Sequence, residues 1–209
     1  MTSKLFAAFL VTLLWLSPVL AQSYSDQRSP SENDHSENAT ASLNRYPFLS
    51  NVEANASASS ASTLLIVRAL ADARNTCAAI RPKEYMIDCL SYELWSIARE
   101  MPKIGSYADA SKAIGVAAEK LKRLAENNAD PKLQPARFRR ETEGRKTTLR
   151  KLTPIDKAKR RDVGRQAAAI IAETETVLLR SAGNSALRRI HYEQISAALG
   201  TNKVLLRSL

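Results

Sequence analysis

The sequence predicts an all-α protein, a bundle of four to five helices after a disordered N-terminal tail. Three observations carry this. Six glycines in 209 residues, with abundant alanine, favour helices over strands. Apolar residues recur at helical spacing through residues 61–209, without strand alternation or an internal repeat. Residues 22–60, by contrast, are rich in Ser, Asn and acidic side chains and have no hydrophobic period.

Residues 1–21 read as a secretory signal peptide. Lys4 supplies a short positive start, Leu5 to Leu16 is an uncharged apolar run, and Ser17-Pro18 breaks it. Val19-Leu20-Ala21 then offers a small-residue cleavage site, with Gln22 as the mature N-terminus. The apolar run is about a dozen residues, against about 20 for a bilayer span. An uncleaved N-terminal anchor is the competing reading. The expected location is the periplasm or the cell exterior.

Within the tail, Tyr46, Phe48 and Leu49 form the one apolar patch, expected to stay solvated with the rest. Asn38-Ala39-Thr40 and Asn55-Ala56-Ser57 match the N-glycosylation pattern, which has meaning only in a eukaryotic secretory route.

The first helix is predicted over about 62–80, with Leu64, Val67, Ala71 and Ala78 as its apolar stripe and Leu65, Ile66 and Leu70 widening it. Pro82 ends it and opens a second helix over about 83–100, with Met86, Cys89, Leu90, Leu94 and Ile97 on one side. That hairpin brings Cys77 and Cys89 together. In one unbroken helix they would stand about 18 Å apart, too far to bond. Across a hairpin, in an oxidising compartment, they are expected to form a disulfide.

Ser106, with Asp109 three residues on, reads as a capping box for a third helix. Tyr107, Ile114 and Leu121 recur every seven residues, and Ala110, Ala117 and Leu124 fill the alternate places of an a/d seam. A basic connector follows over about 129–153, non-helical at Pro131 and Pro135. Thr153-Pro154-Ile155-Asp156 reads as the start of a fourth helix running to about Ser181, patterned on Val163, Ala167, Ile170, Thr174, Val177 and Ser181. Gly183-Asn184 turns the chain into a fifth helix over about 185–199, ended by Gly200.

The net charge of +10 is concentrated. Residues 129–165 carry 13 Lys/Arg against 5 Asp/Glu, whereas residues 22–128 carry 12 against 13. Such a field favours phosphate, acidic lipid or glycan, or an acidic protein. The predicted anion-binding residues are Arg137, Arg139, Arg140, Arg145, Lys146, Arg150, Lys151, Lys159, Arg160 and Arg161. Phe138 is the one aromatic among them, so no stacking platform for single-stranded nucleic acid is expected. The plainer reading of the segment is a solvated basic linker.

Catalytic, metal and cofactor motifs are missing from the sequence, so none is assigned. His191 lies between the helical neighbours Leu187 and Ile195, the setting of a half-buried structural histidine; His35 lies in the tail. Glu84 and Asp88, at i and i+4, suit the positive end of the second helix. The expected function is therefore an exported, non-enzymatic binding or scaffold protein that meets an anionic envelope component or acidic protein partner. An enzyme with a site near His191 and a nucleic-acid binder are the alternatives.

Overall fold

A computed structural model describes residues 45–52, 57–142 and 145–209, with backbone alone for 140–142 and 145–147. The expected signal peptide, His35, Asn38, Asn55 and most of the predicted tail lie outside the described residues. Five α-helices form the domain: α1 Ser60–Ala79, α2 Met86–Glu100, α3 Ala108–Asn127, α4 Arg160–Ser181 and α5 Ala186–Arg207. Each packs on the next in chain order, and α5 returns to α1, closing a ring. The all-α class is the one the sequence predicts.

Ser59 caps α1, its side chain accepting from Ser62 N–H at 3.2 Å. The chain turns at Ile80–Pro82, and a single 3-10 turn, Lys83–Tyr85, leads into α2. Cys77 and Cys89 are disulfide-bonded across this hairpin with a Cα–Cα distance of 5.7 Å. The buried face of α1 is Thr63, Ile66, Leu70, Ala73 and Cys77. This corrects the predicted stripe: Leu64 is 63% exposed, and Ala71 faces solvent. The disulfide fixes the rotation of the helix, and residues 63, 66, 70 and 73 lie in line with Cys77.

Helix α2 is enclosed almost all round. Met86, Cys89, Leu90, Leu94 and Ile97 are buried as predicted, and so are Asp88, Ser91, Tyr92, Glu93 and Ser96. Residues 45–52, expected to remain solvated, fold onto it. A 3-10 turn, Pro47–Asn51, buries Tyr46 and Leu49 completely. The carboxylate of Glu100 accepts the backbone N–H groups of Arg45 at 2.6 Å and Tyr46 at 2.7 Å. Burial of two large side chains plus paired backbone donors offsets the ordering entropy that keeps a polar tail unfolded.

The seam of α3 is the predicted one: Tyr107, Ala110, Ile114, Ala117 and Leu121 are buried and Leu124 partly so. Ser106 does not cap it. The Ser106 carbonyl instead accepts from Tyr192 Oη at 2.9 Å, and a 3-10 turn, Gly105–Tyr107, begins the helix.

The connector is more ordered than predicted. It carries an antiparallel hairpin, β1 Arg139–Thr142 and β2 Arg145–Thr148, extended by an isolated bridge between Ala136 and Leu152. Leu149, Leu152 and Ile155 enter the core. Thr153-Pro154 does not start α4. Asp88 accepts Thr153 N–H at 2.7 Å, and the Glu84 carbonyl accepts Ile155 N–H at 3.0 Å, which holds these residues extended. Asp156 then caps a 3-10 turn, Lys157–Lys159, and α4 begins at Arg160.

Val163, Ala167 and Thr174 face inward on α4 with Ile171 and Leu178, whereas Val177 is 42% exposed. Gly183 closes the helix at φ +60°. Helix α5 continues through Gly200 to Arg207 rather than ending there. A Cβ at Gly200 would meet the Glu175 carboxylate, which pairs with Lys203 at 2.5 Å. The glycine leaves room for that side chain and does not stop the helix.

Replacing Cys77 and Cys89 by serine is expected to lower stability by about 3 kcal/mol, the chain-entropy value for so short a loop. The urea midpoint, measured with and without reductant, checks it: the wild type should fall to the variant's midpoint on reduction.

Candidate functional site

The basic connector and the segments around it are held by three acids on or beside α2. Glu84 and Asp88 stand at its N-terminal end, as predicted, but each does more than face the helix dipole. Glu84 Oε1 accepts from Arg160 at 2.9 Å. Asp88, 1% exposed, takes both outer nitrogens of Arg150, at 2.5 and 2.9 Å, in a bidentate pair. Glu93, fully buried, takes Arg45 at 2.5 and 2.7 Å and Tyr46 Oη at 2.6 Å. Each arginine comes from a different segment: the residues before α1, the connector and the start of α4.

Two predicted anion-binding residues, Arg150 and Arg160, are thereby engaged with internal acids. Arg160 Nε also donates to the Leu209 carbonyl at 3.1 Å. Arg137, Arg139, Lys151, Lys159 and Arg161 are exposed. So is Lys157. Among the described residues none of these six has a carboxylate partner, whereas Arg165 pairs with Asp162 at 2.5 Å. Arg140 lies on β1 opposite Thr147; Arg145 and Lys146 lie on β2 opposite Thr142 and Glu141. Phe138 does not face a ligand: it is half-buried and meets Tyr85 edge-on, ring centroids 5.0 Å apart.

The outward cations stand on an anchored support. Ala136 and Leu152 exchange two backbone hydrogen bonds, at 2.8 and 3.1 Å. Leu149 N–H donates to the Phe138 carbonyl at 2.8 Å, Asp130 N–H to Pro154 at 2.9 Å, and Asp156 N–H to Asn128 at 2.8 Å. A freely solvated linker has no such ladder.

His191 is 3% exposed, more deeply buried than predicted, and Leu187 beside it is 53% exposed. Among the described residues its ring has one hydrogen-bond partner, the Thr63 hydroxyl, not an acid. Tyr107 Oη donates to the Ser59 carbonyl at 2.9 Å and accepts Ser59 N–H at 3.0 Å, so its proton is committed. Thr63 Oγ1 must then donate to Tyr107 Oη at 2.8 Å and accept from His191 Nδ1–H at 2.9 Å. The tautomer follows from this network. Nε2 is left with a buried, unpartnered lone pair. Among the described residues, clefts of about 240, 380 and 570 Å³ open along α3, and His191 lines none of these. A buried ring held by the Thr63 hydroxyl, which is itself held by Tyr107, ties α5 to α1 and to the turn that leads into α3; it is not a base poised over a substrate.

The sequence reading missed Arg45 and Glu93, which stand 48 positions apart. One signal was present: Asp88 and Glu93 interrupt the otherwise apolar MIDCLSYELW, and an acid enclosed by such a helix needs a cation. Comparisons with protein-family models, curated proteins and solved structures found no match.

Glu93→Ala leaves the Arg45 guanidinium, 7% exposed, without its partner. It is expected to cost roughly 3 to 5 kcal/mol, whereas Arg165→Ala, which breaks an exposed pair, costs less than about 1 kcal/mol. Urea midpoints of the two variants test that order.

Proposed function

We propose that this chain is an exported helical binding protein, without catalysis of its own, whose connector presents positive charge to an anionic envelope component or an acidic protein. The observation that carries the reading is the anchored connector with outward cations. Its backbone is paired, Leu149, Leu152 and Ile155 are in the core, and Arg150 and Arg160 are held by Asp88 and Glu84. Arg137, Arg139, Lys151, Lys159 and Arg161 then stand on a support that is already ordered. An anion binding there meets a surface whose ordering cost was met in folding.

Export has separate support. The sequence opens with the signal-peptide pattern, and the Cys77–Cys89 disulfide suits an oxidising compartment, either the periplasm or the exterior. In secreting cells, N-terminal sequencing of the processed chain is expected to begin at Gln22; a start at Met1 on a membrane-bound chain would favour the anchor reading.

Binding is tested with heparin as a sulfated polymer and with duplex DNA as the comparison. Retention of the wild type on heparin should fall as salt rises, because screening weakens contacts between exposed charges. Combined alanine substitution of Arg137, Arg139, Lys151, Lys159 and Arg161 should advance elution, and Arg165→Ala should leave it nearly unchanged. Salt-independent retention, or identical elution of all three proteins, overturns the connector as the binding surface. Equal or tighter binding to DNA favours the nucleic-acid alternative.

A further inference from the structure

The cleft of about 380 Å³ between α2 and α3 is lined by Ser91, Tyr92, Trp95, Glu119, Lys122 and Arg150. Its volume falls in the range of small-molecule sites. Trp95 is 41% exposed on a helix whose other large apolar side chains are buried, and its indole stacks on Tyr92, centroids 6.1 Å apart and 15° between planes. Guanidinium groups already lie over these rings: Arg45 and Arg150 on Tyr92, Arg99 on Trp95. Arg45 and Arg150 are balanced by Glu93 and Asp88, and Glu119 on the lining is an acid, so an anion is favoured there by directed N–H donors of Arg150 rather than by net charge, and the exposed indole of Trp95 offers it an aromatic face.

Arg150 supplies the specific contact. Its two Nη1 hydrogens go to Asp88 Oδ2 and the Lys151 carbonyl, and one Nη2 hydrogen goes to Asp88 Oδ1. Of its five donors, Nε–H and the second Nη2–H remain, side by side on one edge of the plane. That edge is a fork of the spacing a carboxylate takes bidentately. Asp88 holds the guanidinium by the adjoining Nη1/Nη2 edge and so orients the fork before any ligand arrives. Lys122 adds a second cation at the rim, paired only loosely, at 3.7 Å, with Glu126.

We propose that this cleft binds a small aryl carboxylic acid, its carboxylate on the free edge of Arg150 beside Lys122 and its ring against Trp95. The site is independent of the outward cations of the connector.

The test uses the full chain carrying Trp15→Phe, in which Trp95 is the single tryptophan. The probes are 3-phenylpropionate, 3-phenyl-1-propanol and 3-phenylpropylamine, which differ only in the polar head. Emission of Trp95 should shift saturably with the acid, with a midpoint at least about tenfold lower than with the alcohol or the amine. Arg150→Lys, which keeps the charge and loses the fork, should weaken the acid about tenfold. Lys122→Gln, at the exposed rim where folding is not at stake, should weaken it severalfold. The connector alanine variant should bind the acid as the wild type does, so a failure here is distinct from a failure on heparin. Equal midpoints for the three probes, no saturation with the acid, or an unchanged midpoint in Lys122→Gln with a folded Arg150→Lys behaving likewise overturns the proposal.

Discussion

An acid enclosed by apolar surroundings must find a cation, and α2 imposes that demand three times. Glu84, Asp88 and Glu93 are buried along one helix and its leading turn, and an unpaired charge there would cost several kcal/mol. Each is met by an arginine from a different segment of the chain. Arg45 brings in the residues before α1, Arg150 the connector, and Arg160 the start of α4. The helix thus acts as a spine whose charges help to place three segments of the chain. Hydrophobic burial assembles the ring of helices; the ion pairs determine what is laid over it.

The same demand explains where local sequence patterns mislead. Thr153-Pro154 has the residues of a helix start, but Asp88 takes the Thr153 N–H and the Glu84 carbonyl takes the Ile155 N–H. Those bonds reach back 65 and 71 positions, beyond any local pattern. Tyr46 and Leu49 sit in a polar stretch that reads as tail, and their burial depends on Glu93 and Glu100 far along the chain. Ser106 is likewise drawn into a contact with Tyr192 instead of capping its own helix.

Where contrast within a helix was high, the sequence was legible. The heptad of α3 alternates large and small apolar residues against charged ones, and its seam is the observed one. The disulfide was legible because Pro82 falls between two cysteines that only a hairpin can bring together. In α1 the alanines at 69, 71, 73, 78 and 79 give almost no contrast between faces, so the rotation was set by Cys77 and Thr63, not by pattern. Among the candidate site residues, charge density located the connector, yet it did not separate Arg150 and Arg160, which turn inward, from the neighbours that face out. The aromatic pair Tyr92–Trp95 carried no sequence signal, since a tyrosine and a tryptophan three apart on an apolar helix read as core.

The internal pairing has a consequence for how copies of the molecule meet. Each of these arginines is cancelled by one buried acid, so the pairs hide none of the formal excess of +10. That excess is left to the groups in contact with water and is densest in residues 129–165. Two molecules approaching by that segment repel, and the repulsion reaches about 10 Å at 0.1 M salt and about 30 Å at 0.01 M. Dilute buffer therefore keeps the protein dispersed, and concentrated salt removes the barrier that holds neighbours apart.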